Sequence, residues 1–250
     1  MERITSRSNP LCTHIRKLNT SASYRREQGE FAGEGPKLLA EALKAGQAVT
    51  TVVTPEKTEV SCPGHVRRVE MPSDLFQSLC DTKTPQGVLF VCKTPDTAMP
   101  ESLEGRRYLV LDGVQDPGNV GTVWRTADAF GADGLILLEG CADPFSPKTV
   151  RSTMGAAFRL PVYRSTAETL KEKCRQAHLP LYATALREDT EDVAAADLRR
   201  CAAVIGSEGR GVSDEILNLC EKTLKIPMRE RCESLNAAVA AAVILWEGWR

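Results

Sequence analysis

Histidine is scarce in this 250-residue chain, three in all, and its nine cysteines include no C-x-x-C pair. These absences exclude the ligand spacings of a zinc site, so no metal is expected. An odd number of scattered thiols fits a reducing cytosol better than a disulfide framework. Most of the cysteines are expected as small core residues. No G-x-G-x-x-G turn and no G-x-x-x-x-G-K-S/T loop occurs, which counts against a Rossmann-type site and against nucleotide hydrolysis. No apolar run reaches membrane-spanning length and no signal-peptide pattern opens the chain, so a cytoplasmic protein is expected. Internal repeats and low-complexity stretches are also missing.

What is present is unevenly charged. The formal net charge is −1, which argues against a generally basic nucleic-acid binder. Residues 1–26, however, carry Arg3, Arg7, Arg16, Lys17, Arg25 and Arg26 against Glu2 alone, a net +5 that leaves −6 for residues 27–250. A basic arm on an acidic body concentrates phosphate contact at one end.

Two domains joined by a short linker are expected. In residues 1–95 a helix is read at 36–46, strands at 49–53, 66–69 and 88–91, and a helix opening at Pro72-Ser73-Asp74. The Pro-bearing, polar stretch Thr94 to Glu101 places a linker at 96–105. Residues 106–250 then alternate strands (107–112, 134–138, 180–184, 202–206, 223–227) with helices (119–131, 147–155, 166–177, 212–221, 234–247). That alternation predicts an α/β domain with a largely parallel sheet covered on both faces. Leu235, Val239, Val243 and Trp246 share one stripe of the last helix, which must pack on a core or a partner.

Three segments carry the chemistry. The apolar run Tyr108-Leu109-Val110-Leu111 leads into Asp112-Gly113-Val114-Gln115-Asp116-Pro117-Gly118-Asn119, after which Val120, Val123, Ala127 and Phe130 recur at helical spacing. Asn119 is expected to start that helix, with Arg125 in its first turns, at the strand edge where open α/β sheets bind ligands. Ala203-Val204-Ile205-Gly206-Ser207-Glu208-Gly209-Arg210-Gly211 is a strand entering a Gly-rich turn with one acid and one base. Leu224-Lys225-Ile226-Pro227-Met228 precedes Ser234-Leu235-Asn236, which opens the final helix. Cys232 lies two residues before Ser234, but no His stands near it in sequence, so it is not read as a nucleophile.

Taken together, N-x-G-x-x-x-R, G-S-E-G and I-P-M followed by S-L-N resemble the three signatures of the SpoU (TrmH) family of RNA ribose 2′-O-methyltransferases, in the SPOUT superfamily. The resemblance covers about Arg107 to the C-terminus. It extends upstream more loosely, through Ile4 to Pro10, Tyr24-Arg25-Arg26, Glu34 to Leu39 and Asp81 to Val88. These look like the substrate-binding domain that many members carry.

The resemblance implies a small N-terminal α/β substrate-binding domain and a catalytic domain with a deep trefoil knot, assembled as a homodimer. It implies S-adenosylmethionine as cofactor, held at Ala183, Thr184, Gly206, Ile226 and Leu235. Arg125 is the residue it places at the attacking ribose. Arginine stays protonated in proteins, which leaves two options: deprotonation in a special dimer-interface environment, or clamping of ribose and phosphate, the one favoured here. Asn119 should lie near Arg125, holding its side chain or capping the helix. Glu208 should orient Arg125 or Asn236, and Ser234 and Asn236 should cap the last helix or meet substrate phosphate and cofactor. In residues 1–95, Arg7, Arg25 and Arg26 are the expected RNA contacts.

The chain departs from the family pattern at Glu230, where a Gly is usual, at Ala237-Ala238, where Val-Ser is common, and at Thr153, where a Ser is common. None removes the Asn119, Arg125, Glu208, Ser234, Asn236 set, so an active enzyme is expected. Structured RNA, with ribosomal RNA ahead of tRNA, is the expected substrate. A tRNA-directed enzyme and a non-catalytic RNA-binding protein are the alternatives.

Overall fold

The computed structural model describes the chain apart from residues 186, 188, 189, 230, 232, 233 and 250. Glu230 and Cys232 therefore lie outside the described residues. The first stretch carries β1 (Glu2–Arg3), α1 (Pro10–Thr20), α2 (Ala22–Gln28), β2 (Glu30–Glu34), α3 (Pro36–Lys44), β3 (Val49–Pro55), β4 (Arg67–Met71), α4 (Ser73–Gln77) and β5 (Leu89–Lys93). Next come β6 (Arg107–Asp112), α5 (Pro117–Ala129), β7 (Gly134–Leu137), α6 (Pro147–Ser152), β8 (Val162–Arg164), α7 (Ala167–Gln176) and β9 (Leu181–Thr184). The chain finishes with β10 (Glu191–Asp192), β11 (Cys201–Gly206), α8 (Asp214–Leu217), β12 (Lys222–Lys225) and α9 (Ala237–Trp249).

Two compact units result, Met1–Pro95 with Asp143–Phe158, and Asp96–Ala142 with Arg159–Arg250. In the first unit the sheet order is β1-β4-β3-β5-β2. β3 pairs parallel with β4 and antiparallel with β5. Ile15, Leu18, Val53, Val69, Met71 and Leu75 form its core. The basic arm is not a tail. Asn9 caps α1, accepting from Leu11 N at 2.9 Å, and Gly29 at φ 59° ends α2.

Asp143–Phe158, read from the sequence as part of the second domain, packs with this first unit. Phe31 meets Phe145 and Phe158 at ring-centroid distances of 5.1 and 6.3 Å. Arg25 donates through Nε and Nη2 to Asp143 Oδ2 at 2.8 and 2.6 Å.

The second unit holds a seven-stranded sheet, β10-β12-β9-β11-β6-β7-β8, with every pair parallel. A sheet covered on both faces makes its central strands apolar throughout, and β6 and β11 are buried over nearly their whole length. The stretch 96–105, expected as a linker, is seated on this unit: Thr97 O accepts from Arg164 N at 2.8 Å, and Leu103 is buried.

Several boundaries moved. The expected helix 212–221 shortens to Asp214–Leu217, because the chain must turn at 218–221 to enter β12. The expected strand 223–227 ends at Lys225, and Pro227, which has no N–H for a ladder, falls outside it. On α9 the buried side is Ala237, Ala238, Ala241, Ile244 and Leu245. Of the stripe expected to pack on a core or a partner, Val239 and Trp246 are 50% and 47% exposed.

Candidate active site

The strand-to-helix turn after β6 is closed by Asp116 rather than Asn119. Asp116 caps α5, accepting from Asn119 N at 2.9 Å, and Pro117 fills the first helical position, where no N–H is needed. The helix buries Val120, Val123, Trp124 and Ala127, and Trp124 Nε1 donates to Leu160 O at 3.0 Å. Asn119 is thereby freed from capping.

Its side chain faces the other two signatures. Nδ2 of Asn119 donates to Oε1 of Glu208, and Oδ1 accepts from Nδ2 of Asn236 at 3.1 Å. Asn236 in turn caps α9, its Oδ1 accepting from Ala238 N and Val239 N at 2.9 and 3.3 Å. One amide thus joins the turn after β6, the loop after β11 and the start of α9.

The Gly-rich loop is fixed by its own backbone. Ser207 and Gly211 exchange hydrogen bonds at 2.9 and 3.0 Å, and Gly211 sits at φ 70°. Gly206 has no space for a side chain, since a Cβ there would lie 2.0 Å from the carbonyl carbon of Gly211. Beyond the loop, Asp112 Oδ2 accepts from Ser213 N at 2.7 Å, tying the end of β6 to the start of α8.

Beside this network opens a cleft of about 410 Å³, lined among others by Thr184, Gly206, Glu208, Ile226, Ser234 and Leu235. Four of the five expected cofactor residues are on that wall. Ala183 is not: it is fully buried in the core of the sheet, and Ala185 takes the lining position. The alternation of side chains along β9 decides this, Ala183 facing inward and Thr184 the other way. Thr184 also donates its hydroxyl to Val204 O at 3.0 Å. Sequence reasoning missed Lys225 and Met228, which line the cleft on either side of Ile226.

Arg125 is not among the residues lining the cleft. It is exposed on α5, and no described residue joins it to Asn119 or Glu208. Six residues at 3.6 per turn set the two side chains on different faces of α5.

Several thiols are disarmed by burial. Burial pushes Cys141 up to about 11, and Cys201 and Cys220 up to about 12. The described residues contain no group of three or more His, Cys, Asp or Glu able to hold a metal. No described helix is long and apolar enough to cross a membrane.

Of the expected RNA contacts in the first unit, Arg25 is 5% exposed and held by Asp143 and Leu18 O, so it is structural. Its burial follows from the Asp143 pairing, across 118 positions. Arg7 is exposed and donates to Asp74 at 2.9 Å, a hydrogen bond that holds the Asp74 carboxyl below its usual range. Arg26 is exposed, and no described residue pairs with it. Thr153, the third departure from the family pattern, is buried, its hydroxyl donating to Val150 O at 2.7 Å.

Comparison with known proteins divides the chain at the stretch between residues 89 and 106. Residues 106–246 match the SpoU rRNA Methylase family, and residues 9–89 match the MRM3-like substrate binding domain. The chain is 33% identical over 248 residues to the 23S rRNA (guanosine(2553)-2′-O)-methyltransferase RlmP of Bacillus subtilis, covering 98% of each. An AdoMet-bound rRNA methyltransferase from Sinorhizobium meliloti superposes with a TM-score of 0.87 at 31% identity, over 99% of this chain and 97% of that one. The AdoMet complex of the SpoU methyltransferase AviRb from Streptomyces viridochromogenes gives 0.87 at 29% identity, over 96% and 97%. With three signatures converging on one cleft and a family match over more than half its length, the chain belongs to the SpoU rRNA methylase family.

Proposed function

We propose that this protein transfers a methyl group from S-adenosylmethionine to a ribose 2′-hydroxyl of ribosomal RNA. The observation that carries the reading is the Glu208–Asn119–Asn236 hydrogen-bond chain at the edge of the 410 Å³ cleft. That volume lies in the roughly 300–1,000 Å³ range of small-molecule sites. Apolar Leu224, Ile226 and Leu235 together with the loop at Gly206 suit a ligand that is part adenosine, part amino acid. Thr184, Gly206, Ile226 and Leu235 would hold the cofactor. Its sulfonium methyl is the reactive group, so the protein's work is positioning and electrostatics.

Asn119 holds Glu208 and Asn236 in register, and Ser234 presents its hydroxyl on the cleft wall. Arg125 clamps the substrate ribose and phosphate by planar donation rather than serving as a base. Arg125 is exposed and not among the residues lining the cleft of its own chain, which is compatible with a clamp supplied by a second copy. The active form is a homodimer, a reading supported by the exposed Val239 and Trp246 on α9. The family's trefoil knot belongs to the same reading. It is supported by the path of α9, which follows β12 yet returns to pack on α5 and β11.

Residues 1–95 supply RNA recognition, with Arg7 and Arg26 as exposed cations. The eight described cysteines are all free, which fits a cytoplasmic enzyme. The test is site-resolved 2′-O-methyl mapping of total RNA treated with purified protein and labelled cofactor. Label in ribosomal RNA is expected; label confined to tRNA overturns the substrate assignment.

A further inference from the structure

The first unit contains a second cleft, of about 340 Å³, between α3, the 81–86 loop and the end of α6. It is built rather than incidental. Glu34, at the end of β2, accepts from the backbone of Asp81 at 3.1 Å and of Thr82 at 3.3 Å, and from the Thr82 hydroxyl. Its charge is spent on holding the loop in place. Gly35, at φ 105°, passes so close to Gln86 that a Cβ there would lie 3.1 Å from Oε1. Arg151 is braced across the cleft by Asp81 at 2.9 Å, with both side chains more than a third exposed.

One wall is strained. Met154 adopts φ 50°, a region that costs a non-glycine residue about 1–3 kcal/mol, and its side chain is 55% exposed. A large apolar side chain held outward on unfavourable backbone contributes little to the core of this unit. It is left available for contact from outside.

We propose that this cleft binds an unstacked nucleotide of single-stranded RNA, as a recognition subsite separate from the methyl-transfer cleft; this rests on the RNA reading above. Leu38 and Met154 give the base apolar contact, while exposed Thr84 and Gln86 offer donors and acceptors for its edge. Sequence-selective RNA recognition works on splayed bases in this way. Exposed Lys37 and the Arg151 guanidinium meet the flanking phosphate. Glu41, on the wall one helical turn from Lys37, keeps the cleft from being uniformly positive. That mixture favours a base with one phosphate over a polyphosphate.

The test uses the full-length protein and a transcribed rRNA fragment that the wild type methylates. Lys37→Ala is expected to weaken binding and flatten the log Kd against log salt slope by about 0.7, one single-strand phosphate contact. Gln86→Ala should weaken binding at unchanged slope. Met154→Gly is the decisive variant. Glycine relieves the positive φ, so thermal stability should hold or rise while RNA affinity falls. Lys44→Ala, at the other end of α3, is the control and should bind as wild type. Photo-crosslinking of 4-thiouridine-substituted RNA should map to peptides holding Gln86 or Met154. If all three variants bind and methylate as wild type, this subsite is wrong while the methyltransferase reading stands, and a protein partner becomes the better occupant. If the wild type methylates no RNA, the functional reading itself falls.

Discussion

Nδ2 of Asn236 donates to Oδ1 of Asn119 at 3.1 Å, joining positions 117 residues apart and leaving the other end of the Asn119 amide for Glu208. An amide suits this position because Asn119 donates on one side and accepts on the other. Asn119→Ala should lower kcat by about 1–3 kcal/mol of lost positioning, roughly 5- to 150-fold. Asn119→Asp should be worse, since it sets a second carboxylate against Glu208. Glu208→Gln keeps an acceptor and should retain most activity. Single-turnover methylation ranks the three; a Glu208→Gln enzyme as dead as Asn119→Asp would show that the charge, not the hydrogen bond, matters.

Arg125→Ala should leave folding and S-adenosylmethionine binding intact while lowering methyl transfer by orders of magnitude. A mixed dimer separates the two possible geometries. If Arg125 works in the partner's cleft, pairing an Arg125→Ala chain with a Glu208→Ala chain rebuilds one complete site. Activity in the mixture well above that of either homodimer is expected, and its absence would return Arg125 to its own chain's site.

Gly206→Ala puts a methyl group 2.0 Å from the carbonyl carbon of Gly211, which no rotamer relieves. The loop carrying Glu208 must move. Calorimetry should find cofactor affinity reduced at least tenfold, about 1.4 kcal/mol. Unchanged affinity would mean that the loop after β11 does not shape the cofactor cleft.

Arg25→Ala removes the guanidinium from the buried Arg25–Asp143 ion pair, at a cost of about 3–5 kcal/mol for breaking such a pair. Urea denaturation should show that loss. A variant of wild-type stability with weakened RNA binding would instead restore Arg25 as an RNA contact.

The chemistry was legible in the sequence because its parts are local. Gly206 and Glu208 share one turn, and Ser234 and Asn236 lie just before one helix, so residue type and spacing carry the signal. What was not legible depends on pairing across the chain. The basic residues of the first helices look alike in sequence, yet Arg25 is sequestered by Asp143 while Arg26 faces solvent. Asn119 resembles a cap in sequence, whereas Asp116, one residue before a proline, does the capping. Ala183 and Thr184 looked equivalent until the strand's alternation put one in the core. The sequence places the start of α9 at Ser234, three residues early, because Ser234 and Asn236 are both good capping residues, whereas only Asn236 reaches the helix N–H groups.

The packing of Asp143–Phe158 with the first unit also sets an order of events during synthesis. A domain made of one unbroken N-terminal stretch can close as soon as it leaves the ribosome. Here Phe31 has to wait for Phe145 and Phe158, and Arg25 for Asp143. By then β6, α5 and β7 have already been translated. The N-terminal core is therefore completed only after the second unit has begun to form, and a nascent chain stalled near residue 130 would expose Phe31 and an uncompensated Arg25.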